Sequence, residues 1–365
     1  MQITGVTQHH LAHSADGAFH PTWIPGYPQG THEAEVFEIE TDAGITGLAA
    51  SPSFGGGIQY ADAVAAFLNG EDPHDIRGIR RKLDSINLVG PKPWHLEIAC
   101  WDIIGKDAGK PIYELLGGTG DPVPVYASTG EVQPADERIA YVEERIDEGF
   151  EAVKLRVTTH DDIEMVRAVR EAFPELTLMV DANKGWAVRV IEDEEPWDYR
   201  DALHFARELE DVGNVAWLEE PLPRHDFNGY ARLREATDVP IAGGEFNDGV
   251  FQFREFAERD ALDVYQPDAA LATGILGATE VASMADQAGA QFVPHTWTNG
   301  IGFAANLHVL AAVESAWCEY PAEPPWSPEV RDFMLTEALG QEDGLIAPPD
   351  APGLGIELDE SVLEG

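Results

Sequence analysis

A short apolar run that ends on a polar residue recurs eight times after about Pro122: VPVYAST, EAVKLRV, LTLMVDAN, VAWLEEP, VPIAGGE, ALDVYQPD, AQFVPH and SAWCEY. Amphipathic stretches of helical period, such as 161–172 and 201–211, separate them. Strands joined through helices are parallel, because a parallel crossover needs a dozen residues or more. Eight such units predict a closed α/β barrel of the TIM type rather than an open sheet.

The ends of the runs carry the second constraint. They place Lys154 and Arg156, Asp181 and Asn183, Glu219, Glu245, Asp268, His295 and Glu319 at successive strand termini. The longest interval between them holds an acidic insertion around 192–198. In a barrel all carboxyl ends open on one mouth, where catalytic groups gather. One charged strand end is a solvated cap; seven in register describe a site.

Asp181, Glu219 and Glu245 lie on consecutive strands, and three acids at one mouth raise one another's pKa unless a cation sits among them. An all-oxygen set without Cys or His suits a hard ion, with Mg2+ favoured over Zn2+. Glu219 shares a strand face with Trp217, so Glu220 must point the other way. Asn183 shares the face of Asp181 and can donate to a substrate. Lys154 and Arg156 put two of the scarce cations on one face, which suits a carboxylate ligand. Asp268 and His295, on adjacent strands, form a pair in which the carboxylate fixes the imidazole tautomer and leaves the other nitrogen as a base. Glu319 is expected to hydrogen-bond a developing oxyanion if protonated, or to position substrate. Together these parts suit proton abstraction α to a carboxylate.

The first 120 residues read differently. EVFEIE (35–40) alternates like a half-buried strand, and Asp42-Ala43-Gly44 turns it into a second strand over 45–49. Helical period follows over 60–68 and 94–107. Two loops rich in Gly and Pro, 20–30 and 51–57, interrupt the pattern. Residues 9–30 and 51–57 are therefore expected to cover the site, with His20, Trp23 and Tyr27 as candidate substrate contacts. The residues after about 330 have no barrel rhythm and are expected to return to this first unit. The expected division is 1–120, 121–330 and 331–365.

Charge narrows the partners. With 23 Lys and Arg against 66 Asp and Glu, the formal charge is −43, which leaves no basic face for nucleic acid. Only six of the cations are Lys, and the acids are spread along the chain, as on a carboxylate surface hydrated in molar salt, where the Debye length is about 3 Å. Cys100 and Cys318 sit in apolar stretches and are expected to be buried free thiols. There is no basic and apolar leader at the N-terminus and no apolar run long enough for a membrane span, so a soluble cytoplasmic protein is expected.

These motifs resemble the enolase superfamily, in its mandelate racemase / muconate lactonizing enzyme family and specifically the mandelate racemase subgroup. The resemblance runs through EVFEIETDAGITGLA, ACWDIIGKDAGKPIYELLGG (99–118), VKLR, MVDANKGW, WLEEP, GGE, QPD, PH and PGLGIELDE. It implies an α+β capping domain over a (β/α)7β barrel. It also implies Mg2+ on Asp181, Glu219 and Glu245, a His295–Asp268 base, Glu319 as the hydrogen-bonding acid, and a homo-oligomer, often an octamer or dimer. One departure bears on the reaction. The subgroup usually carries Lys-x-Lys on the second barrel strand, with the second Lys as a base opposite the histidine. Here the motif is Lys154-Leu155-Arg156, and arginine stays protonated. Lys154, Arg156, Asp268, His295 and Glu319 are thus the expected catalytic set for a one-base dehydration of a sugar-derived carboxylic acid, an aldonate or aldarate, to a 2-keto-3-deoxy acid. The alternatives are a racemase or epimerase in which Lys154 or a water supplies the second base, and a non-catalytic binding protein on the same fold.

Overall fold

The computed structural model describes residues 1–53, 57–189, 191–313 and 315–363. Three strands, β1 (Ile3–Phe19), β2 (Gln29–Thr41) and β3 (Thr46–Pro52), form an antiparallel sheet in that order. The alternation in EVFEIE holds from Phe37 on: Phe37 and Ile39 are buried and Glu38 and Glu40 are not. Glu35 is buried as well, and accepts a hydrogen bond from Gln8 Nε2 at 2.7 Å.

Two loop boundaries differ from expectation. β1 continues to Phe19, and the stretch from His9 to Ser14 pairs with β2 residue for residue, so 9–19 is strand and the covering loop is 20–28. This part of the hairpin carries His, Ser and Asp on a largely unburied ribbon, so no apolar alternation marks it. Ser51 and Pro52 likewise belong to β3, paired with Glu35 and Ala34; residues 54–56 of the second expected loop lie outside the described residues.

Helices α1 (Ala61–Leu68), α2 (Ile76–Val89), α3 (His95–Ala108) and α4 (Ile112–Leu115) follow the sheet. Then come eight strands: β4 (Val123–Ser128), β5 (Ala152–Arg156), β6 (Thr177–Asp181), β7 (Val215–Glu219), β8 (Ile241–Gly243), β9 (Val264–Tyr265), β10 (Gln291–Phe292) and β11 (Cys318–Pro321). Between them run α5 (Ala135–Asp147), α6 (Ile163–Ala172), α7 (Tyr199–Val212), α8 (Phe227–Ala236), α9 (Gly249–Glu258), α10 (Gly274–Ala288) and α11 (Gly300–Ala312). Seven helices among eight strands make the (β/α)7β arrangement. All adjacent strands pair in parallel, in the order β10-β9-β8-β7-β6-β5-β4-β11.

The two ends of this curled sheet meet through side chains. Thr296 donates its backbone N–H to Glu319 Oε2 at 2.8 Å and its hydroxyl to the Glu319 carbonyl at 2.7 Å. Ser315 Oγ donates to the carbonyls of Phe292 and Trp317.

Inside the curl, Tyr126, Ala152, Met179, Trp217, Ala242, Val264 and Val293 pack as one buried cluster with one residue from each of seven strands or strand ends. This layer is the floor of the site. Because side chains alternate across a strand, the residues two positions further on face the same interior: Ser128, Lys154, Asp181, Glu219, Gln266 and His295. Period-two geometry thus stacks a polar layer on an apolar one.

The C-terminal segment touches both β4 of the curled sheet and α3 of the first unit. β12 (Leu345–Ile346) pairs antiparallel with β4, and Leu354 N–H donates to Asp102 of α3 at 2.8 Å. Cys100 and Cys318 are both free and buried. Among the described residues, no helix is long and apolar enough to cross a membrane.

Candidate active site

Asp181, Glu219 and Glu245 are buried, with one carboxylate oxygen of each within 4.8 Å of the others. Asp181 and Glu219 close β6 and β7, where they are register partners. Glu245 breaks the period-two rule, coming three residues after Ala242. Gly244, at φ +126, makes the extra step that carries this side chain back to the interior, a conformation that L side chains rarely adopt.

Each acid is held by donors on its outer side. Trp217 Nε1 and Gln266 Nε2 donate to Glu219 Oε2 at 3.0 and 2.7 Å. Trp186 Nε1 donates to Glu245 Oε1 at 2.6 Å, and Asn183 N–H to Asp181 Oδ1 at 2.8 Å. Burial, and then the Asp181 charge, push Glu219 up to about 7; burial and Glu219 also raise Glu245. Three buried acids whose oxygens converge on one point are a donor set fitted to a hard divalent cation. The surrounding charge agrees. Five carboxyl groups, Asp181, Glu219, Glu245, Asp268 and Glu319, face only Lys154, Arg156 and His295, an excess of acids that a cation would offset.

Lys154 is tied to Glu319 at 2.6 Å, Glu219 at 2.9 Å and Asp181 at 3.6 Å. Burial opposes its charge, but Glu219 and Glu319 more than offset that, and its pKa ends above the usual value. In this structure Lys154 is a fully buried ion-pair partner of three carboxylates. Arg156 pairs with Asp181 and donates to Asn183 Oδ1 at 3.0 Å. Its guanidinium lies over the rings of Trp23 and Trp297, 5.4 and 5.6 Å from their centroids. Asn183, in the left-handed region at φ +46, spends its carbonyl on Arg156 and Thr22, which leaves its amide N–H2 for a ligand.

His295 Nδ1 meets Asp268 Oδ2 at 2.9 Å, and its Nε2 lies 3.5 Å from Glu245. Asp268 is fixed in turn by the N–H groups of Ala270 and Leu271. Burial would lower the imidazole pKa, but Glu245, Glu319 and the Asp268 hydrogen bond raise it to about 9. Glu319 accepts from Ser128 Oγ at 2.8 Å besides Lys154 and Thr296. Although burial works against its charge, Lys154, His295 and Arg156 hold it well below the usual carboxylate range. Through these contacts it joins β4, β5 and the β10 end.

Glu220, on the other strand face as expected, is fully buried with neither carboxylate oxygen hydrogen-bonded. Its carboxyl lies 2.3 Å from where a Cβ on Gly185 would stand, which accounts for the glycine in the KGW motif.

Above this floor opens a cavity lined by Trp23, Tyr27, Arg156, Asn183, Glu245 and His295, all singled out from the sequence. His20 is not among them: it lies in a separate surface cleft with His160 and Trp197. Asp181, Glu219, Lys154, Asp268 and Glu319 sit beneath the wall rather than in it. Sequence reasoning missed Trp186, Phe246, Trp297 and Trp326, and Thr31, His32 and Glu33 of β2, whereas Gln29 and Gly30 fall within the expected covering stretch 9–30. Gln266 was findable, being two residues before Asp268 on the same face. Trp326 was not, because it sits in an irregular segment after β11 with no periodicity to place it.

Residues 18–117 match the family model for the mandelate racemase / muconate lactonizing enzyme N-terminal domain, and residues 137–362 that for the enolase C-terminal domain-like unit. The chain is 30% identical to D-galactarolactone cycloisomerase of Agrobacterium fabrum, covering 100% of this chain and 98% of that protein. It is also 30% identical to arabinonate dehydratase of Saccharolobus solfataricus, covering 93% and 92%. A crystal structure of L-talarate dehydratase from a Polaromonas species, complexed with Mg and L-glucarate, superimposes with a TM-score of 0.83 at 28% identity, covering 99% of this chain and 96% of that one.

Proposed function

The chain belongs to the mandelate racemase / muconate lactonizing enzyme family of the enolase superfamily, and on that premise we propose that it is a Mg2+-dependent dehydratase of a sugar-derived carboxylic acid. The observation that carries this reading is the single base: His295, oriented by Asp268, faces the cavity, while Lys154 and Arg156 are both locked in ion pairs with carboxylates. Asp181, Glu219 and Glu245 would hold the ion, which would supply positive charge against the carboxylate end of the substrate. Arg156 and the Asn183 amide orient that end. Neutral His295 takes the α-proton on Nε2 while Asp268 steadies the charge that develops on the ring. The same Nε2–H then protonates the departing β-hydroxyl, which leaves as water, and the resulting enol tautomerises to a 2-keto-3-deoxy acid. One base suffices because the proton taken and the proton returned are used in sequence.

Aldonic and aldaric acids, screened for 2-keto-3-deoxy product in molar KCl with Mg2+ and again with EDTA, test the reading. A metal-dependent product that vanishes in His295→Asn is the expected result. Solvent deuterium at Cα of recovered substrate, with inversion and no keto product, would replace the dehydratase by an epimerase. No Mg2+ binding at all would leave a binding protein on this fold.

A further inference from the structure

We propose that the chain carries a second metal site, of the zinc type, built by His160, His204 and Glu208 where the turn after β5 meets α7, and distinct from the three acids of the cavity. One ligand atom from each of these residues lies within 4.8 Å of the other two.

Local sequence brings them together. α7 buries Ala202, Phe205, Ala206 and Leu209. That apolar stripe turns Asp201, His204 and Glu208 to a neighbouring face, at the three- and four-residue spacings that stack side chains along a helix. His160 opens the 3-10 turn His160–Asp162, shortly after β5 ends at Arg156. Asp162 Oδ2 fixes the turn by accepting from the N–H groups of Thr158 and Thr159 at 2.7 and 2.8 Å. The imidazole lies flat against Trp197, with ring centroids 5.0 Å apart and 17° between the planes. Glu208 is steadied from its other side, where Arg167 stands 3.5 Å from Oε1. Two ligands are thus held in place. The third, His204, has 66% of its side chain exposed and has room to turn.

The ring nitrogens that face acids here are not spent on them. His204 Nε2 to Glu208 Oε2 and His160 Nε2 to Asp201 Oδ1 are both 3.8 Å, too long for a hydrogen bond. Ligands of a tetrahedral Zn2+ stand about 3.3 Å apart, so the shifts that close the set around an ion are within the reach of an exposed side chain. Two imidazoles and one carboxylate suit a borderline ion such as Zn2+, whereas the all-oxygen set of Asp181, Glu219 and Glu245 suits a hard one. The surrounding charge favours a cation: Asp201 flanks His160, and Glu192, Asp193, Glu194 and Glu195 line the same cleft. Bound there, Zn2+ ties the connection after β5 to α7 and leaves a fourth position to water.

Calorimetric titration of Zn2+ into the full-length protein, in molar KCl with excess Mg2+ to fill the acid set, tests the site. One Zn2+ is expected to bind with a micromolar Kd, and at about 100 times that Kd to raise Tm by roughly 3 °C. His204→Ala, at an exposed position, and Glu208→Gln are each expected to weaken Zn2+ binding by tenfold or more and to abolish the rise in Tm. Glu245→Gln, which removes one of the cavity acids, is expected to leave both unchanged. Zn2+ binding that survives His204→Ala, or that is lost in Glu245→Gln, would put the ion elsewhere and overturn the proposal. So would an absence of Zn2+ binding. Ca2+ bound within tenfold of Zn2+ would overturn it too, because collection by an acidic surface, and not recognition by imidazole, gives that result. None of these readouts involves turnover, so the site stands or falls apart from the dehydratase reading.

Discussion

Glu219 shows how one residue couples metal and proton. Burial and the neighbouring Asp181 push its carboxyl up to about 7, and a protonated carboxyl is a poor ligand for a hard cation. Protons therefore compete for the site below pH 7, and Mg2+ affinity is expected to rise as pH goes from 6 to 8, measured by titration calorimetry. A flat profile would mean that Glu219 is not a ligand. His295 titrates in the opposite functional sense, because the base must be neutral. With its pKa raised to about 9 by Glu245, Glu319 and Asp268, kcat/KM should climb with pH along a limb lying between the ordinary histidine value, about 6.5, and 9. A limb at 6 or below would show that those carboxylates do not reach the ring. His295→Asn removes the base without removing an expected metal ligand, so turnover should fall by roughly 100- to 10,000-fold while Mg2+ binding persists.

At the scale of elements, the strand ends do two jobs that conflict. They deliver charged groups to an interior, and they must leave the helices packed against the outer face. The conflict is resolved by a shared period: the apolar layer from Tyr126 to Val293 and the polar layer above it come from alternate positions of the same strands. Where the period breaks, a glycine stands. Gly244 absorbs the extra residue before Glu245, and Gly185 leaves room for the Glu220 carboxyl. Gly185→Ala would set a methyl group against that buried carboxyl and is expected to cost about 1–3 kcal/mol, seen as a lowered Tm. If Tm does not change, Glu220 has space to move and the close approach is not a constraint.

Over the whole molecule, a formal charge of −43 on 365 residues is self-repelling in dilute buffer and largely screened when the Debye length falls to about 3 Å in molar salt. We propose that the enzyme is adapted to high salt, so that Tm and activity both fall as KCl is lowered from about 2 M to 0.1 M, where the Debye length has grown to about 10 Å. Insensitivity over that range would leave the acidity without such a role. The same scale separates what was legible in the sequence from what was not. Strand number, the parallel pairing and the polar residue closing each strand were readable, because they follow from short apolar runs and from helix-length connections long enough for parallel crossovers. The roles of Glu219 against Glu220 followed from period-two parity. The strand character of 9–19 was hidden, since a ribbon without a buried face carries no pattern. Which carboxylates Lys154 pairs with, which groups hold Glu319, and which residues walled the cavity were decided only by the folded chain. Each depends on distances between groups far apart in sequence, such as His32, Glu245 and Trp326 around one cavity. A pKa or a pocket is a property of those distances, and local sequence does not carry them.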